Sequence, residues 1–168
     1  MVEKDKLILE KIKYAGLGDM KATYKFARDW FVQEEFNVIE ESYAEKIGGG
    51  GSKELEIKWI CSKKVSDYFR ITVKIKWIVI GLTEVEVEID GRKKKMNKIA
   101  DMTLEIHGIL EKDYSAKWEG TGMQKFFQEM YHKYIIPSRT EEKESQVQEA
   151  VQDFKEEMKA FLELSGRK

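Results

Sequence analysis

The sequence predicts an α+β fold in which a long antiparallel β-meander curves around a C-terminal helix after a β-α-β start. Three observations carry this expectation. Apolar and polar residues alternate with a period of two over several consecutive segments between Leu55 and Leu110. A broad apolar stripe with helical spacing, Val147, Ala150, Val151, Phe154, Met158, Phe161 and Leu162, closes the chain. The first fifty residues read as strand, helix, strand.

The opening strand is expected from Leu7 to Tyr14, where Leu7, Ile8, Leu9, Ile12 and Tyr14 are mixed with lysine and glutamate before the breaker Gly16-Leu17-Gly18. Asp19 then stands where a helix N-cap belongs. Met20, Tyr24, Ala27 and Phe31 follow on one helical face, widened by Phe26 and Trp30, and the helix is expected to end near Phe36-Asn37. Val38 to Ile47 returns to a strand-like mix and runs into Gly48-Gly49-Gly50-Gly51-Ser52, a flexible hairpin loop. Its spelling is also that of a common engineered linker, so a native and an artificial origin both stand.

In the meander, Leu55, Ile57, Trp59 and Cys61 alternate with Glu54, Glu56 and Lys58, and Phe69, Ile71, Val73, Ile75, Trp77 and Val79 alternate with Arg70, Thr72, Lys74 and Lys76. After Gly81, Val85, Val87 and Ile89 alternate with Glu84, Glu86 and Glu88 as a separate strand, and Asp90-Gly91 marks a tight hairpin. Met102, Leu104, Ile106 and Leu110 alternate with Thr103, Glu105 and His107 in the last strand. The basic stripe at 70–76 and the acidic stripe at 84–88 are expected to pair across adjacent strands. Beyond Trp118, Thr121 with Gln124 has capping-box spacing ahead of Met123, Phe126, Phe127, Met130, Tyr131 and Tyr134. Pro137 should break or bend that helix, and Ser138 with Glu141 should cap the final one.

This order of elements resembles the START-like, Bet v 1-like helix-grip superfamily. The likeness rests on the strand Leu7–Tyr14, the helix Asp19–Phe36, the meander from Val38 to Tyr114 and the closing helix from Glu141 to Leu164. Trp118-Glu119-Gly120, Phe126-Phe127 and Tyr131-His132-Lys133-Tyr134 are similar to segments of uncharacterised archaeal proteins of this organisation. Two features depart from the pattern: a helical segment precedes Pro137, and the glycine run stands early in the meander. The resemblance implies a curved sheet whose inner face, lined by Trp59, Phe69, Trp77 and Met102 with Phe154 and Met158 of the final helix, encloses a hydrophobic cavity. An apolar small molecule or lipid is the expected ligand, bound without catalysis. A structural or protein-interaction module with a filled core is the alternative.

At 168 residues the chain matches the usual size of one domain, and residues 1–168 are read as such. Its 30 lysines and arginines nearly balance 31 aspartates and glutamates, so no net field favours a nucleic acid. The run Arg92-Lys93-Lys94-Lys95 reads as a solvated hairpin tip. One cysteine, Cys61, forms no internal disulfide and carries the parity of a buried residue. It suits a reducing, cytoplasmic setting. No apolar signal core and no membrane span is expected. His107 and His132 have no ligand partner at zinc-helix spacing, and no nucleophile motif is present, so no metal or cofactor is expected and an enzyme of cyclase or hydrolase type is the least supported of the three readings.

Loop-closure entropy rises slowly with length. Lengthening the run at 48–51 by a few residues should therefore change the unfolding free energy by less than about 1 kcal/mol in urea titrations. Loss of folding would make the loop part of a specific structure.

Overall fold

A computed structural model describes residues 3–66, 68–112 and 136–166. Five strands, β1 (Glu3–Gly18), β2 (Asn37–Ile47), β3 (Lys53–Lys64), β4 (Phe69–Ile89) and β5 (Arg92–Lys112), form one antiparallel sheet in the order β1-β5-β4-β3-β2. Helix α1 (Met20–Gln33) joins β1 to β2, and α2 (Ile136–Gly166) follows the sheet. The expected helical segment at 121–134, with Trp118 and His132, lies outside the described residues.

Each boundary has a local cause. Asp19 caps α1 through its carboxylate, which accepts the Ala22 N–H at 3.0 Å, and Glu35 at φ 67° turns the chain out of the helix into β2. The β2–β3 connection is a short 3-10 turn at Gly49–Gly51, closed by the Gly48 N–H donating to the Ser52 carbonyl at 2.7 Å. Asp90 and Gly91 both take positive φ, as a two-residue hairpin requires to match the twist of its strands.

Three expectations are corrected. Residues 69–89 form one strand rather than two, because Gly81 bends the strand without ending it. Its φ of +68° is suited to glycine, and a Cβ there would stand 2.6 Å from that of Ala100. The acidic stripe therefore lies on the same strand as the basic one and meets other partners. Glu86 opposes Lys95, Glu88 opposes Lys93, and Arg70 pairs with Glu111 of β5. Second, helical backbone is already formed at Ile136, so Pro137 and Ser138 stand within α2 rather than ahead of it. Strand β5 also begins at Arg92, so the basic run forms the returning arm of the hairpin.

Both helices cover one face of the sheet. The odd residues of β3 and the first part of β4 point toward them: Ile57, Trp59, Cys61, Val73, Ile75, Trp77 and Val79 are buried, with Met102, Leu104 and Ile106 of β5 beside them. Val147, Val151, Phe154, Met158 and Leu162 of α2 close over this face as the helical stripe predicts. Phe154 meets Phe31 at 4.6 Å and Trp30 at 5.2 Å, and Phe161 stacks on Phe26 at 4.4 Å, so aromatic rings join the two helices. Full burial of one such side chain is worth about 1.5–3 kcal/mol. Helix α2 also approaches the sheet backbone at Gly108, where an added Cβ would come within 2.6 Å of Ile8 Cγ2, 2.8 Å of Val147 Cγ1 and 2.9 Å of Val151 Cγ2. On edge strand β1, Glu10 accepts hydrogen bonds from Lys155 at 2.6 Å and Gln152 at 2.8 Å and ties α2 to the sheet.

Two outcomes follow from these contacts. Gly108→Ala should destabilise the fold by about 1–3 kcal/mol, the usual result of overpacking, and an unchanged urea midpoint would mean that α2 does not sit this close. The Lys155 ammonium, then Gln152, hold the Glu10 carboxyl below its ordinary value of 4.5. Its stabilisation is present above that value and is lost as pH falls through the lower folded pKa. Urea midpoints measured from pH 6 to pH 3 should fall less steeply in Glu10→Gln than in the natural chain; parallel curves would count against the contact.

Candidate functional site

Trp59, Phe69, Trp77, Met102, Phe154 and Met158 are each no more than 1% exposed and belong to one hydrophobic core. The core does not gather them around one point. Trp59 and Trp77 touch, with ring centroids 5.3 Å apart, whereas Phe154 packs on α1 and Phe69 packs on Tyr68 at 5.0 Å. Phe69 precedes Trp77 by eight residues on β4, which is roughly 26 Å of extended strand.

Open space lies instead where the sheet runs past the start of α1. A groove of about 360 Å³ is lined by Met20, Lys21 and Tyr24 of α1, Tyr43 and Glu45 of β2, Lys53, Leu55 and Ile57 of β3, Leu82 and Glu84 of β4 and Asn97 of β5. A second space of about 430 Å³, toward the glycine turn, shares Lys53, Leu82, Glu84 and Asn97 with it and adds Gly50, Gly51 and Thr83. The Gly81 bend explains part of this lining. Two residues rather than one separate buried Val79 from buried Leu82, and two separate Ile99 from Met102, so side-chain parity reverses. Leu82 and Glu84, not Val85, consequently stand on the helix-bearing side, and Met96 is buried on the opposite one.

The rim is polar and neutralised locally. Lys53 Nζ lies 3.1 Å from Glu45, and Asn97 Oδ1 accepts the Met20 N–H at 2.9 Å, anchoring the start of α1 to β5. Tyr24 forms the inner wall. Its ring meets Trp59 edge-on at 4.9 Å and Trp77 at 6.0 Å, while its hydroxyl donates to Glu40 Oε1 of β2 at 3.0 Å. Burial first, then the bond to Glu40, push the Tyr24 phenol above its usual value. The Trp59 indole N–H partly opposes that rise without completing a hydrogen bond to the phenol. Trp59 Nε1 and Trp77 Nε1 are both buried, and neither completes a hydrogen bond among the described residues.

Other chemistry is sparse. Burial pushes the Cys61 thiol up to about 12, which keeps it protonated and unreactive at neutral pH. His107 lies on the outer face of β5, opposite Leu9 and Lys74. Among the described residues no three of His, Cys, Asp or Glu are placed to hold a metal ion, and no helix is long and apolar enough to cross a membrane. No family model, curated protein or solved structure matches the chain.

Sequence reading placed the two tryptophans correctly on the inner face but missed Tyr24, Tyr43, Leu82 and Asn97 as neighbours of a common space. The glycine inside a strand pattern was the available signal, since such a residue often marks a bend.

Proposed function

We propose that this chain is a non-catalytic binding protein of helix-grip organisation that takes an apolar small molecule or lipid. The strand order β1-β5-β4-β3-β2 with both helices on one face supports the organisation. The groove supports the ligand: it exceeds the roughly 300 Å³ at which ordinary ligand sites begin, and Leu55, Ile57, Leu82, Met20 and Tyr24 give it an apolar floor within a polar rim. The body of the ligand belongs in this groove, because the six aromatic and methionine side chains expected to line a cavity are packed in the core. A buried, unpaired Cys61 fits a reducing compartment such as the cytoplasm.

A specific observation favours a second reading, a protein-interaction module. Strand β2 is a sheet edge on which Ile39, Tyr43 and Ile47 are 51%, 52% and 73% exposed, and such an edge is a template for adding another strand.

Titration with the neutral dye N-phenyl-1-naphthylamine separates the two. The binding reading expects one saturable site with energy transfer from tryptophan, weakened several-fold by Tyr43→Asp, because a charged group at the mouth of an apolar groove must be desolvated. Absence of saturable binding, together with a concentration-dependent increase in mass by light scattering, would overturn it in favour of the interaction module.

A further inference from the structure

Resting on that reading, we infer that the ligand is uncharged and carries a hydrogen-bond acceptor, such as a ketone, ester or amide carbonyl, which enters past Tyr24 and takes the indole N–H groups of Trp59 and Trp77. An indole nitrogen only donates, and buried donors without an acceptor are rare because losing water without replacement is costly. Here two occur together. Trp59 and Trp77 stand on neighbouring strands with centroids 5.3 Å apart, and neither Nε1 completes a hydrogen bond among the described residues, although the Trp59 N–H lies close enough to act on the Tyr24 phenol.

Their position relates them to the groove. Trp77 is the direct cross-strand neighbour of Ile57, which floors the groove, and Tyr24, which walls it, lies against both indole rings. The pair is thus one side-chain layer behind the open space. Tyr24 is held on its polar side by an exposed hydrogen bond to Glu40, a weak restraint on its rotation.

The surroundings select the type of acceptor. Glu40 is the β2 neighbour of Trp59, so a ligand carboxylate would approach a like charge. An ammonium would instead present donors to two donors. A hydrocarbon would leave both N–H groups unsatisfied. Only a neutral acceptor satisfies the indoles without importing a charge into the core.

A matched series of octane, 2-octanone, octanoate and octylamine, each displacing N-phenyl-1-naphthylamine from the full chain, tests this. 2-Octanone should bind roughly tenfold more tightly than octane, about the effect of one buried donor gaining an acceptor, and more tightly than either ion. Trp59→Phe and Trp77→Phe, which keep a ring and remove the N–H, should bring 2-octanone down to the affinity of octane and leave octane unchanged. Equal affinities for octane and 2-octanone, or a preference for octanoate or octylamine, would overturn the inference while leaving the groove as a binding site. Failure of the dye itself to bind would overturn the underlying reading. The series on the natural chain decides the matter even where a tryptophan variant does not fold.

Discussion

The strands of this protein are longer than the helix that covers one end of them, and much of the structure depends on that mismatch. Strands β4 and β5 have 21 residues each, roughly 70 Å of extended chain, whereas α1 has 14 residues and spans about 21 Å. Where the helices lie on the sheet, the inner face is closed by aromatic contacts among Phe26, Trp30, Phe31, Phe154 and Phe161. Where α1 begins, at Met20, the same face continues uncovered by helix among the described residues. Closed core and open groove are two parts of one surface.

The bend at Gly81 adapts the sheet to this change. Below it the helix-facing positions are large and apolar, as they must be when covered by another layer. Above it, reversed parity brings Leu82 and Glu84 to the groove, and the β4–β5 ribbon presents Glu86 and Glu88 opposite Lys95 and Lys93. These charges are neutralised by their cross-strand neighbours, so they specify the register of a two-stranded arm more than they create a field. The Asn97 bond to the Met20 backbone holds the arm to the start of α1 and so fixes the width of the groove.

Polar groups divide according to whether the fold supplies their partners. Thr23 is buried on the inner side of α1, and its hydroxyl donates to the Asp19 carbonyl at 2.7 Å, while Glu10 is held by Lys155 and Gln152. Both are satisfied by the helix or by its contact with the sheet. The Trp59 and Trp77 indoles, behind the groove, complete no hydrogen bond among the described residues, and neither do the buried Thr72 and Thr140 hydroxyls away from it. A polar group without a partner is costly in a closed interior, which is why its occurrence beside an opening bears on function.

The amino-acid sequence by itself determined the α+β class, the inward parity of β3, β4 as far as Val79 and β5 from Met102, the Asp19 cap, the Asp90-Gly91 hairpin and the buried stripe of α2. Each follows from side-chain periodicity or a turn residue acting over a few neighbours, where the physics is local. Only the tertiary structure decided that residues 69–89 are one bent strand, that Glu86 and Glu88 face lysines of β5 rather than the basic half of β4, and that Tyr24, Tyr43, Leu82 and Asn97 share a groove. Gly81 illustrates the limit: in sequence a glycine is compatible with a strand end or a strand bend, and the choice rests on whether the partner strand continues alongside, a contact with Ala100 nineteen residues later. The groove was hidden for the same reason, since its lining comes from five separate elements and its opening depends on where α1 stops covering the sheet.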